Sequence, residues 1–114
     1  MTDLIKFTLH TDTAITPRRT TQHSAGYDLY SDENLTIVQP YSVRVIETNV
    51  AVEFPHGHCL DIRSRSSLAL KGVTAFHGLV DSDFYPNPIK VILFNRSDEQ
   101  YVIKRGDRIA QFTI

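Results

Sequence analysis

The sequence predicts an all-β fold, a sandwich or barrel of short strands with one short helix set among them. Two observations carry this. The dominant hydrophobic period is two rather than 3.6, and each apolar stretch is brief and closed by a turn signal. A chain of 114 residues fits one domain and can still bury a core.

The elements follow in order. Ile5, Phe7 and Leu9 alternate with polar neighbours, as do Leu35 with Ile37 and Val43 with Val45 on either side of Gln39-Pro40-Tyr41. Val50, Val52 and Phe54 make a further strand that Pro55-His56-Gly57 ends. The segment Ser66-Ser67-Leu68-Ala69-Leu70-Lys71-Gly72 breaks the pattern. Its serines stand where an N-cap would, good helix formers follow, and a glycine stops it, which predicts one or two turns of helix. Asp81 and Asp83 flank Ser82, and on a strand the two carboxylates would share a face. Lys90 to Asn95 is an almost unbroken apolar run that Ser97-Asp98-Glu99 closes. Tyr101 with Ile103, and Ile109 through Ile114, complete the set across an Arg105-Gly106-Asp107 turn. There is no internal repeat.

Hydrophobic residues make up 41% of the chain and charged residues 22%, an ordinary globular balance. The net charge of −1 gives no global basic field for nucleic acid or a membrane surface, so neither is an expected partner. A nucleotide would have to be held by a local cluster of donors. The one cysteine, Cys59, allows no internal disulfide and suits a reducing compartment. The N-terminal MTDLIKFTLHTDT lacks the apolar core of a signal peptide, and no apolar run nears the roughly 20 residues that cross a bilayer. The expectation is a soluble intracellular protein, cytoplasmic or nuclear, and not secreted.

Several clusters could carry chemistry. Arg65 with Ser66 and Ser67 at a helix start offers a guanidinium, two hydroxyls and unpaired N–H groups, which suits a phosphate chain. An ordinary helix cap beside an exposed arginine is the commoner origin of such a pattern. Asp81, Asp83 and Asp28 could hold hydrated Mg²⁺ or deprotonate a water, or be solvated turn aspartates. His56 and His58 flank a turn glycine without accompanying cysteines, a weak pattern for zinc. Lys104-Arg105 reads as a solvated hairpin tip rather than a nucleic-acid patch.

Taken together, four segments resemble the dUTPase family. Ser24-Ala25-Gly26-Tyr27-Asp28-Leu29-Tyr30-Ser31 is similar to its first motif and Arg65 through Gly72 to its second. Gly78-Leu79-Val80-Asp81-Ser82-Asp83-Phe84 resembles the third, and Arg105-Gly106-Asp107-Arg108-Ile109-Ala110-Gln111 the fourth. The motifs stand in order and cover nearly the whole chain, so that 1–114 reads as a single domain.

The resemblance implies a small antiparallel jelly-roll barrel, a homotrimer with sites between subunits, and Mg²⁺-assisted hydrolysis of dUTP to dUMP and pyrophosphate. It implies that Asp81 orients and deprotonates the attacking water, and that Asp28 lies near the metal and acts through its water. Arg65, Ser66, Ser67 and Gln111 would contact the phosphates. An aromatic ring after the aspartates would pack on the deoxyribose and exclude a 2′-hydroxyl. Uracil would be read by main-chain groups of the hairpin that begins at Gly78.

The chain departs from the family pattern in three places. Phe84 replaces the usual tyrosine over the sugar, with Tyr85 as the alternative ring. Tyr85-Pro86-Asn87-Pro88 replaces a glycine-containing turn and adds a residue. The sequence ends at Ile114, directly after the fourth motif, where the family continues into a glycine-rich fifth motif; truncation before that motif, with weakened turnover, is the expectation. Leu60, Arg63 and Ser64 also replace the usual glycine, alanine and proline. Rival readings are a non-catalytic relative that binds nucleotide or protein, the related dCTP deaminase, which needs a suitably placed glutamate base, and a plain β-sandwich interaction domain.

Overall fold

The computed structural model describes residues 4–114. The chain runs β1 (Lys6–Leu9), β2 (Tyr27–Tyr30), β3 (Leu35–Val38), β4 (Ser42–Glu47), β5 (Val50–Glu53), β6 (Cys59–Arg63), α1 (Ser66–Ala69), β7 (Val73–Ala75), β8 (Leu79–Asp81), β9 (Lys90–Asn95), β10 (Tyr101–Lys104) and β11 (Arg108–Thr113). The strands pair antiparallel in the orders β2-β11-β6-β8, β4-β9-β7, β1-β5 and β3-β10. Sequential neighbours rarely pair, and the sheets wrap one core in the jelly-roll-like, all-β manner expected.

Inward positions of several sheets meet in that core. Leu29, Leu60, Leu93, Ile103 and Phe112 are fully buried. The Tyr27 ring stacks on Phe112 at 5.1 Å between centroids, with Phe7 edge-on to Phe112 at 6.4 Å. Leu60 therefore has a physical reason for standing where it does: it fills the core from β6. Arg63 pairs with Asp61 at 2.8 Å. Ser64 ties the end of β6 to β7, its hydroxyl accepting from Ala75 N at 2.9 Å and donating to Ala75 O at 3.2 Å.

The structure corrects the sequence reading at four points. α1 is a single turn whose N-cap is Arg65 without a side-chain capping bond, so Ser66 and Ser67 stand inside the helix rather than capping it. Gly72 does end the segment, at φ +88°. β8 stops at Asp81, and Ser82–Phe84 form a short 3₁₀ turn, so Asp81 and Asp83 do not share a strand face. Lys104 and Arg105 are exposed, but not at a hairpin tip: β10 and β11 belong to different sheets, and Arg105 Nε donates to Asp32 Oδ1 and its Nη2 to Asp32 O, both at 3.2 Å.

The fourth correction concerns phase. In β3 the polar Thr36 and the apolar Val38 point inward, while Leu35 is exposed. Thr36 is satisfied by donating to the Glu33 carboxylate. Val43 and Val45 of β4 are about half exposed, at 52% and 48%, and their cross-strand partners Phe94 and Ile92 share that outer face. An apolar stripe left on the outside of a sheet is a surface prepared for another protein surface.

Candidate functional site

Two clusters stand out. In the first, β11 lies between β2 and β6 and aligns Asp28, Gln111 and Arg63 across three strands. Asp28 is 7% exposed and gathers its neighbours around it. Thr20 Oγ1 donates to its Oδ2 at 2.9 Å. Arg65 Nε lies 3.8 Å from Oδ1 and Arg108 Nη1 3.8 Å from Oδ2. Two guanidinia against one carboxylate leave a local excess of one positive charge, which suits an anion.

Gln111 Nε2 donates to Ser64 O at 3.0 Å. The Gln111 side chain lies over Gly26, where a Cβ would come within 2.7 Å of its Oε1. The hydroxyls of Ser66 and Ser67 are exposed and make no hydrogen bond among the described residues. With a helix of one turn the macrodipole contributes little. What suits this cluster to an anion is Arg65, Arg108 and the exposed hydroxyls.

The second cluster is a groove of about 450 Å³ lined by Val80, Asp81, Phe84, Asn87 and Lys90 among others. Asp81 ends β8 at the groove, exposed, with no side-chain hydrogen bond among the described residues. Phe84 presents its ring there, 39% exposed. Tyr85 turns the other way, its hydroxyl 3.1 Å from Thr8 Oγ1 on β1, so of the two rings Phe84 is the one on the groove. His56 Nδ1 meets Ser82 Oγ at 2.6 Å, behind the turn that carries Phe84. Gly78 is committed to the sheet, its carbonyl accepting from Ile62 N at 2.9 Å.

The two clusters are far apart in one chain. Asp81 sits opposite Cys59, at the other end of β6 from Arg63. Four residues along β6 span roughly 13 Å, and three strand spacings roughly 14 Å, so Asp28 and Asp81 lie on the order of 20 Å apart. A single chain does not bring Asp81 near Arg65, Ser66, Ser67 and Gln111.

These residues offer a divalent metal few direct ligands. Among those described, no three His, Cys, Asp or Glu side chains cluster as a cage. Asp28 alone fits the outer-sphere role expected of it: a buried carboxylate beside an anion site can accept from the waters of a Mg²⁺ that arrives on phosphate. Residues that sequence reasoning passed over are Arg108, Thr20 and Asn87. Arg108 stands in the fourth segment, but a register shift between Arg108 and Ala110 conceals its shared face with Gln111.

A family model described as dUTPase matches residues 12–114. The chain is 40% identical over 109 residues to the deoxyuridine 5′-triphosphate nucleotidohydrolase of Hydrogenobaculum sp. (strain Y04AAS1), covering 93% of the chain and 74% of that protein. It is 41% identical over 109 residues to that of Avian adenovirus 8 (strain ATCC A-2A), covering 95% of the chain and 66% of the relative. Among solved structures, the Staphylococcus bacteriophage 80alpha dUTPase with dUPNHPP superposes with a TM-score of 0.87 at 26% identity, covering 96% of the chain and 80% of its counterpart.

Proposed function

Because the chain belongs to the dUTPase family, we propose that it hydrolyses dUTP to dUMP and pyrophosphate at sites each built from two subunits. The observation that carries this reading is the exposed Asp81 carboxylate, without a side-chain hydrogen bond among the described residues, at the edge of a base-sized groove beside an aromatic ring. Asp81 takes a proton from water as the oxygen forms its bond to the α-phosphorus. The bond from that phosphorus to the bridging oxygen breaks, and pyrophosphate leaves. Arg65, Ser66, Ser67, Arg108 and Gln111 stand ready as donors for the phosphoryl oxygens, where preorganised hydrogen bonds lower the barrier most. Mg²⁺, when bound with the triphosphate, would neutralise charge there, with Asp28 holding one of its waters. The Phe84 ring offers the flat apolar face on which a deoxyribose packs, and it has no hydroxyl to welcome a 2′-OH.

The distance between Asp81 and the phosphate donors supports a shared site: one subunit supplies the groove and Asp81, its neighbour the anion cluster. The apolar outer face of β4 and β9, with Val43, Val45, Ile92 and Phe94, is suited to that contact. Three copies is the assembly implied by the family resemblance. No helix among the described residues is long and apolar enough to cross a membrane.

Pyrophosphate release from dUTP with Mg²⁺ tests the reading. The protein is expected to prefer dUTP, and Asp81→Asn to cut the rate by about 10²–10⁴ without lowering thermal stability, since Asp81 is exposed and makes no side-chain hydrogen bond among the described residues. Equal rates for the protein and the variant would refute the role of Asp81.

A further inference from the structure

We propose that the Asn87 side chain is the group that distinguishes uracil from cytosine in this protein, an inference that rests on the dUTP-hydrolase reading. The turn that carries it is unusual. Pro86 and Pro88 bracket Asn87, and neither has an N–H. The remaining amide of that bracket, Asn87 N, donates to Phe84 O at 2.9 Å. The turn therefore offers a base edge few main-chain donors, and recognition passes to a side chain.

Asn87 lines the same groove as Asp81 and Phe84 and is exposed towards it. Its Nδ2 also donates to Phe84 O at 2.9 Å. A carbonyl oxygen only accepts, so the atom facing Phe84 O must be the amide nitrogen, and this fixes which way the carboxamide points. With the N–H trans to Oδ1 donating there, the cis N–H and the Oδ1 lone pairs are left over side by side.

That adjacent donor and acceptor match one pyrimidine edge. Uracil offers O4 as acceptor beside N3–H as donor, and both would pair with the carboxamide. Cytosine offers an amino donor beside a bare N3 acceptor, so donor would face donor and acceptor would face acceptor. Turning the carboxamide over to suit cytosine would set Oδ1 against Phe84 O and forfeit that hydrogen bond. Thymine carries the same edge as uracil, so Asn87 cannot separate those two.

The test is kcat/KM for dUTP, dCTP and dTTP in the protein and in Asn87→Ala, with calorimetric binding of dUpNHpp as a second readout. The alanine variant is expected to lose kcat/KM with dUTP and dTTP together, not with dCTP. The ratio of dUTP to dCTP should fall about tenfold or more, the scale on which unpaired hydrogen-bonding groups in a site discriminate. Should that variant fail to fold, Asn87→Asp keeps the main-chain turn and removes the donor, and it must lower the same ratio. An unchanged ratio, or an equal loss on all three nucleotides, overturns the proposal and makes Asn87 a turn-former only. Failure of the unmodified protein to turn over dUTP or bind dUpNHpp would instead strike the hydrolase reading, and this inference with it.

Discussion

Gly26 lies beneath the Gln111 carboxamide, and a Cβ built there would sit 2.7 Å from Oε1 and 3.3 Å from Cδ. The atoms in the way are the far end of a flexible side chain, so Gly26→Ala should fold and displace Gln111 rather than the backbone. Gln111 would then lose its bond to Ser64 O, a contact of the order of 1 kcal/mol. The expected result is a KM for dUTP raised several-fold with a melting temperature lowered by only about 4 °C. A second residue-scale prediction concerns pH. Asp32 is 5% exposed. Burial works to raise its pKa, but hydrogen bonds from Thr11, Thr13 and Asn49 and the Arg105 charge outweigh burial and hold it below the ordinary carboxylate value. A folded pKa below the unfolded one means that Asp32 stabilises the protein above the unfolded value of about 3.9, and that this contribution is lost as pH falls through the lower folded value. Asp32→Asn should cost about 2 kcal/mol near neutral pH, read as a lower urea midpoint, and should flatten the fall of that midpoint below pH of about 4.

Among the elements, α1 depends on one buried side chain, since Leu68 is its only buried residue and Arg65 supplies no cap bond. Leu68→Ala should cost about 2–4 kcal/mol, seen in denaturant unfolding, and it should weaken dUTP binding because the turn that carries Arg65, Ser66 and Ser67 loses its anchor. At this scale the sequence was legible where burial follows the period-two pattern. Lys90–Asn95 was read to its ends as an apolar run, because the buried Val91 and Leu93 alternate with the outward but still apolar Ile92 and Phe94. It was illegible where alternation fails for a physical reason. β2 has Asp28 and Leu29 buried in succession, because one faces the ion pairs and the other the core. β7 spans three residues, too few to display a period. The bulge in β11 puts Arg108 and Gln111, an odd number of residues apart, around the same carboxylate. The outward Val43 and Val45 satisfied the pattern but belong to the wrong face for a monomer's core.

For the whole molecule, the family was legible because its motifs lie in the sequence as contiguous runs. The separation of those motifs in space was not, because it depends on strand order: β8 sits at the far edge of the sheet from β2. That order places Asp81 on one side of the chain and Arg65 on the other, and under the proposed function it makes assembly a condition of activity. Val45→Lys, a charge on the apolar outer face, should shift the protein to a smaller species in sedimentation and reduce pyrophosphate release in parallel.

In the proposed assembly each site draws Asp81 and Arg65 from different subunits. Arg65→Ala and Asp81→Asn are each expected to be nearly inactive alone. Mixed, unfolded and refolded together so that subunits exchange, they should recover about a quarter of the normal pyrophosphate release, because a random mixture pairs an intact Arg65 with an intact Asp81 at about one site in four. Recovery to that level would establish the shared site, and a mixture as inactive as its parts would contradict it.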